Sequence, residues 1–203
     1  MDAKSHWEHV YNTKRPDQVS WYRPHLDLSL DLITRVVSDR DARIVDVGGG
    51  EATLADDLLA AGYRQVDVLD LSEKALQVAR DRLGDLCGSV NWILGDVTTY
   101  AFESNLYDVW HDRAVFHFLT DSTQREAYVH QVLRAVKPGG HVIVATFGPQ
   151  GPLHCSGLDV VRYDADSLHE QFGARFELIE HDVEEHLTPN GSRQQFVYCM
   201  CRT

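Results

Sequence analysis

The stretch that most constrains this chain is Arg43-Ile-Val-Asp-Val-Gly-Gly-Gly-Glu-Ala-Thr53. A short β-branched run ends in an acid, and three glycines follow. Leu54, Ala55, Leu58 and Leu59 then share one face at helical spacing. Strand, glycine turn and helix form the opening unit of a nucleotide-binding α/β sheet. Glycine at such a turn lets the backbone approach a ligand that a Cβ would hold off.

The same alternation continues downstream. Val66-Asp-Val-Leu-Asp70 reads as a second strand, and Ser72 caps a helix whose face carries Ala75, Leu76, Ala79 and Leu83. Val90-Asn-Trp-Ile-Leu94 is a third strand, followed by Gly95-Asp96, and Leu106-Tyr-Asp-Val-Trp110 is a fourth. Asp121, with Gln124 three residues on, opens a long helix in a capping-box pattern. Pro138-Gly-Gly140 stops that helix and turns the chain into His141–Phe147, the most apolar strand. A helix over 164–172 and strands over 176–181 and 195–201 complete the chain, the last two as an antiparallel hairpin.

Strands that alternate with helices make a mostly parallel sheet covered on both faces. The expected fold is therefore a doubly wound, Rossmann-like α/β sheet, with 1–203 as a single domain. Residues 1–40 form an aromatic lead-in, with Trp7, Tyr11, Trp21 and Tyr22. Pro24 stands where a helix could start, and the polar 12–17 stretch suits a lid as well as a packed cap.

A net charge of −12 repels a polyanion, and no Lys/Arg cluster offers a basic patch, so no nucleic acid partner is expected. No apolar run reaches membrane-span length, and the N-terminus lacks a signal-peptide core, so a cytoplasmic protein is expected. Cys87, Cys155, Cys199 and Cys201 show no framework spacing, and the histidines show no ligand spacing for a metal. Reduced thiols and no metal follow.

Glycine turns of this kind serve NAD, FAD and S-adenosylmethionine alike. Three features separate them. Ala52 fills the third position of a dinucleotide fingerprint, and acids close strands one to three: Asp46, Asp70 and Asp96. A ribose diol wants a carboxylate acceptor, and Asp70 is placed for it. Finally, Leu133-Arg-Ala-Val-Lys-Pro-Gly-Gly140 leads into a hydrophobic strand.

These pieces, in this order over 42–147, resemble the class I S-adenosylmethionine-dependent methyltransferases. The resemblance implies a seven-stranded sheet of order 3-2-1-4-5-7-6 with strand seven antiparallel, and S-adenosyl-L-methionine as cofactor. It implies that Asp46 orders the turn and that Gly48, Gly49 and Gly50 approach the methionine half. It further implies that Asp70 takes the ribose hydroxyls, Leu71 packs on the adenine, and Asp96 and Val97 contact the adenine amino group and ring edge. Helix capping is the plain alternative for the two acids, and core packing for Leu71 and Val97. His111 and Trp21 are placed at the cofactor edge.

Trp110-His-Asp-Arg-Ala114 stands where the nucleic acid amino-methylating members carry an Asn/Asp-Pro-Pro-aromatic element. It is similar instead to the Trp-Asp-Arg element of thiopurine-type small-molecule methyltransferases, and somewhat to a class of protein-lysine methyltransferases. The candidate proton acceptors are His111, Asp112 and His117, with His25 a further one from the lead-in. The plain readings are a core-edge histidine at 117 and an Asp112–Arg113 ion pair. Tyr22, His25, Arg113, Phe147 and Cys155 are the candidate acceptor-binding residues. The leading expectation is methyl transfer to a small molecule, a thiol or similar soft nucleophile first. The alternatives are a protein-lysine methyltransferase, a cofactor-binding regulator without turnover, and an NAD-dependent oxidoreductase.

Overall fold

The computed structural model describes residues 2–203. Helices α1 (Ala3–Thr13) and α2 (Asp27–Val36) precede β1 (Arg43–Val47). The alternation then runs α3 (Leu54–Ala60), β2 (Gln65–Asp70), α4 (Glu73–Leu83), β3 (Val90–Leu94), β4 (Tyr107–Arg113), α5 (Ser122–Ala135) and β5 (Val136–Phe147). A two-residue ladder, β6 (His154–Cys155) with β7 (Leu158–Asp159), leads to α6 (Ala165–Phe172). The strands β8 (Glu177–Leu187) and β9 (Arg193–Arg202) follow.

The main sheet has the order β3-β2-β1-β4-β5-β9-β8. The first five strands are mutually parallel, and β9 runs antiparallel to both neighbours. Leaving aside the short ladder, this is the expected order. It places β1 between β2 and β4, where the winding reverses. Ligands of open α/β sheets bind at that switch point, beyond the carboxyl ends of the strands.

Alternation along each strand sorts side chains between the two faces. Ile44, Val109, Ile143, Tyr198 and Met200 pack under α2, α3 and α4, against Leu32, Ile33, Leu54, Leu58 and Leu76. Val45, Trp110, Val142, Val144, Cys199 and Cys201 pack on the opposite face, under α5 and α6 with Tyr128, Val132, Leu168 and Phe172. Cys199 and Cys201 share one face, as their spacing requires, and are buried there.

Several boundaries differ from the expected ones for local reasons. The fourth strand continues to Arg113, because Val47 of β1 pairs with Asp112. Pairing runs from Tyr107–Val136 straight to Val109–His141, so Pro138-Gly-Gly140 is a bulge opposite Asp108 inside β5 rather than a turn before it. Pro24 lies outside α2, which starts at Asp27. Asp121 caps α5 through the Thr123 amide without the box to Gln124, and the box forms instead at Asp164 and Ser167. The final hairpin is longer than expected, since β8 and β9 pair from Glu177–Arg202 to Leu187–Arg193.

The N-terminal segment lies across the carboxyl ends of the strands. Trp7 meets Trp21 and Phe118 edge to face, at centroid distances of 5.8 and 5.0 Å. Glu8 supplies a second anchor: its carboxylate accepts from the backbone amides of Glu73 (2.7 Å) and Lys74 (3.4 Å). Ser72 already caps that helix through Ala75, so Glu8 satisfies two of the remaining orphan amides of α4 from outside. Glu8→Ala is expected to cost about 1 kcal/mol, the usual worth of a cap. Hydrogen exchange should show faster opening of α1 with the central strands unaffected.

Candidate active site

The turn after β1 places Gly48 and Gly50 at positive φ, +67° and +45°. Their neighbours forbid a side chain as well. A Cβ at Gly48 would collide with Val115, one at Gly49 would meet Val68 at 2.8 Å, and one at Gly50 would meet Asp70 Oδ2 at 2.8 Å. The three glycines are therefore demanded by this protein's own packing, not by ligand approach alone.

A cavity opens beside this turn, walled by Asp46, Gly48, Gly49, Asp70, Leu71, Asp96 and Val97 on one side. Asp70 Oδ1 accepts from the Ser72 amide (2.8 Å), and the helix cap is Ser72 itself. Asp70 is therefore not the cap of α4. Burial pushes the Asp70 carboxyl up to about 7, with Asp46 adding to the rise. Asp96 Oδ1 accepts from the Thr98 amide and hydroxyl and caps no α-helix. Val97 belongs both to the core and to the wall.

The same cavity is lined by aromatic side chains, Trp7, Tyr11, Trp21, Tyr22, Phe118 and Phe147, with Cys155. Cys155 Sγ lies 3.9 Å from Ser20 Oγ, and burial raises its thiol pKa.

The Trp110–Arg113 element is divided by strand alternation. His111 and Arg113 reach the cavity, whereas Asp112 lies on the other face of the sheet. There Asp112 accepts from the Val115 and Phe116 amides and the Tyr128 hydroxyl (2.9, 3.1 and 2.8 Å). It makes no ion pair with Arg113, which bonds Glu184 instead (3.0 Å). His117 is fully buried outside the cavity wall. Its Nδ1 accepts from the Phe147 amide, and burial lowers its pKa to about 3. His25 also stands outside, mostly exposed, with Nδ1 2.7 Å from Asp57, a hydrogen bond that raises its pKa. It docks α2 on α3. Among the acid–base candidates, only His111 meets the cavity.

His111 is itself held on both sides. Nδ1 is 2.7 Å from Asp46 and Nε2 is 2.9 Å from Ser29 Oγ. Ser29 Oγ is 3.3 Å from Tyr198 Oη, which accepts from Arg113 Nε at 3.0 Å. Every donor is matched if protons point from Arg113 through Tyr198, Ser29 and His111 to Asp46. Arg113 also donates to the Trp21 carbonyl (3.2 Å), and Glu184 takes Arg23 at 2.7 Å. One buried chain thus joins the glycine turn to the N-terminal segment.

Ser29, Tyr198 and Glu184 had no motif to mark them, since they come from α2, β9 and β8 and converge only in the fold. Glu51 carries no motif either. It lines the cavity at 3% exposure, and neither carboxyl oxygen has a partner among the described residues. An orphaned buried carboxyl, a buried acid at the end of β2 and a glycine turn fit a hydroxyl-bearing, partly cationic ligand such as an adenosyl amino acid.

Residues 44–140 match a family described as a methyltransferase domain. Over that stretch the chain is similar to methyltransferase domains, and its fold is that of S-adenosylmethionine-dependent methyltransferases. A curated relative, the ubiquinone/menaquinone biosynthesis C-methyltransferase UbiE of Azotobacter vinelandii, is 31% identical over 112 residues. That match covers 53% of this chain and 43% of the relative, so the chain spans less than half of its length. Among solved structures, one concerns the conversion of a disulfide bond into a thioacetal group during echinomycin biosynthesis. It has a TM-score of 0.79 at 19% identity, over 99% of this chain and 92% of that one. The Burkholderia thailandensis 1,6-didemethyltoxoflavin-N1-methyltransferase, with its substrate and S-adenosylhomocysteine bound, gives 0.73 at 18% identity, over 98% and 86%. The two structural likenesses establish the fold. None of the three is a thiopurine-type enzyme. No helix among the described residues is long and apolar enough to cross a membrane.

Proposed function

We propose that residues 1–203 act as one methyltransferase unit on a small-molecule acceptor, a thiol or similar soft nucleophile first, with residues 1–40 as its lid. The observation that carries this is the aromatic lining of the cavity beside the glycine turn, contributed largely by residues 1–40. A cavity covered in this way suits an apolar small molecule better than an extended protein segment.

The bound cofactor supplies a methyl group already electrophilic on its sulfonium. The protein's share is orientation and exclusion of water. In this reading Asp70 takes the ribose hydroxyls, Leu71 packs on the adenine face, Val97 meets the ring edge, and Asp96 accepts from the amino group. Asp46 holds the glycine turn, and Trp7, Trp21 and Phe118 keep water from the acceptor. His111 is the one histidine at the wall among the described residues, and both its nitrogens are engaged. A nucleophile with a pKa near neutrality needs little help from it, and a thiol at about 8.5 meets that condition better than an alcohol. Asp112 and His117 then act as structural groups that shape the segment 113–118.

A carbon acceptor is the second reading, favoured by the C-methyltransferase relative. The test is a panel of thiols, quinols and amines with methyl-labelled cofactor. Transfer to thiols is the expected result, transfer to quinols selects the second reading, and labelling of protein alone refutes both.

A further inference from the structure

Glu51 follows the glycine turn directly and is buried without satisfaction: neither oxygen has a hydrogen-bond partner among the described residues. Arg82, the cation that acts on it most strongly, is committed elsewhere. Its guanidinium donates to the Glu51 and Ala52 carbonyls and forks onto Asp56. Burial pushes the Glu51 carboxyl up to about 7, against the pull of Arg82 and Lys74 and with the push of Asp70. Removing a carboxyl from water with no donor in exchange is among the costlier things a fold can do. A group of this kind persists where a ligand provides the donor, and function then holds stability below its attainable value.

We propose that Glu51 is a second carboxyl of the cofactor site, beside Asp70, that takes a hydroxyl or ammonium donor of the bound S-adenosyl compound. Both side chains border one cavity, and both lie close to Tyr11 of the lid. The inference rests on the methyltransferase reading above. It goes beyond that reading because the acid follows the turn rather than closing a strand.

The test pairs two measurements on Glu51→Gln, which keeps the shape of the side chain, with Glu51→Leu as a second variant. Thermal melting of the free protein should move up in Glu51→Gln, because the unsatisfied acid is gone. Calorimetry should show S-adenosylhomocysteine binding weakened about tenfold or more, the worth of a hydrogen bond to a charged group. Methylthioadenosine, which keeps the ribose and lacks the ammonium, identifies the donor. An equal loss with both ligands assigns a ribose hydroxyl, and a loss confined to S-adenosylhomocysteine assigns the ammonium. A lower melting temperature in Glu51→Gln, or unchanged affinity for both ligands, overturns the proposal. Failure of the wild-type protein to bind S-adenosylhomocysteine overturns the cofactor reading itself, which separates the two outcomes.

Discussion

Asp70→Ala is expected to weaken S-adenosylhomocysteine binding at least about 100-fold, since two hydroxyl bonds to one charged acceptor are lost together. The same substitution should stabilise the free protein above neutral pH. Asp70 is buried, and its pKa rises from 3.8 to about 7 on folding, chiefly through desolvation. Between those values the folded chain holds a proton that the unfolded chain has released. The associated stability is therefore complete below about pH 4 and is lost as pH rises through about 7. At alkaline pH the ionised acid costs the fold on the order of a few kcal/mol. Glu51 and Asp112 are raised to about 7 as well, so their contributions have the same sign. Melting of the free protein should fall between pH 5 and 8, less steeply in Asp70→Ala. With saturating S-adenosylhomocysteine the wild-type slope should flatten, because bound donors favour the ionised acids. A melting temperature that rises from pH 5 to 8 in the free protein would contradict this account.

Arg113→Ala should be the most damaging single change outside the hydrophobic core, by about 3–5 kcal/mol. The guanidinium is buried between Glu184, Tyr198 and the Trp21 carbonyl, and it stacks 4.1 Å above the Phe196 ring. Removing it leaves Glu184 with Arg23 and the longer Tyr198 contact (3.4 Å), and takes from the Trp21 segment one of its ties to the sheet, the His186 bond to the Ser20 carbonyl remaining. Arg113→Lys should recover less than half of the loss, because an ammonium can neither reach Tyr198, the Trp21 carbonyl and Glu184 together nor stack on Phe196. Urea titration measures both variants, and a double-mutant cycle with Glu184→Gln isolates the pair. Additive effects of Arg113→Ala and Glu184→Gln would show that the two side chains do not act together.

Much of the site was legible because its signals are local. Asp70 stands at a strand end, Asp96 in the turn after the next strand, and the glycines demand positive φ at 48 and 50. The Trp110–Arg113 element is divided by a strand that runs on to Arg113. A β-strand period of two already puts His111 and Arg113 on one face and Asp112 on the other. Once the strand is extended to Arg113, that division follows from the sequence. His25 and His117 were harder. Their residue type suits proton transfer, but Asp57 and the Phe147 amide claim them from 32 and 30 positions away.

The sequence by itself determined the alternating elements, the order of acids after the strands and, through the glycine turn, the kind of cofactor. Those depend on periodicity and turn chemistry within a few residues. Tertiary structure decided which side chains meet. It carried Ser29, Tyr198 and Glu184 to the Trp110–Arg113 element and laid Trp7 and Trp21 over the cavity. It also left Glu51 buried beside the glycine turn without a donor. Such contacts depend on strand register and on helices docked from distant parts of the chain, which no local pattern specifies.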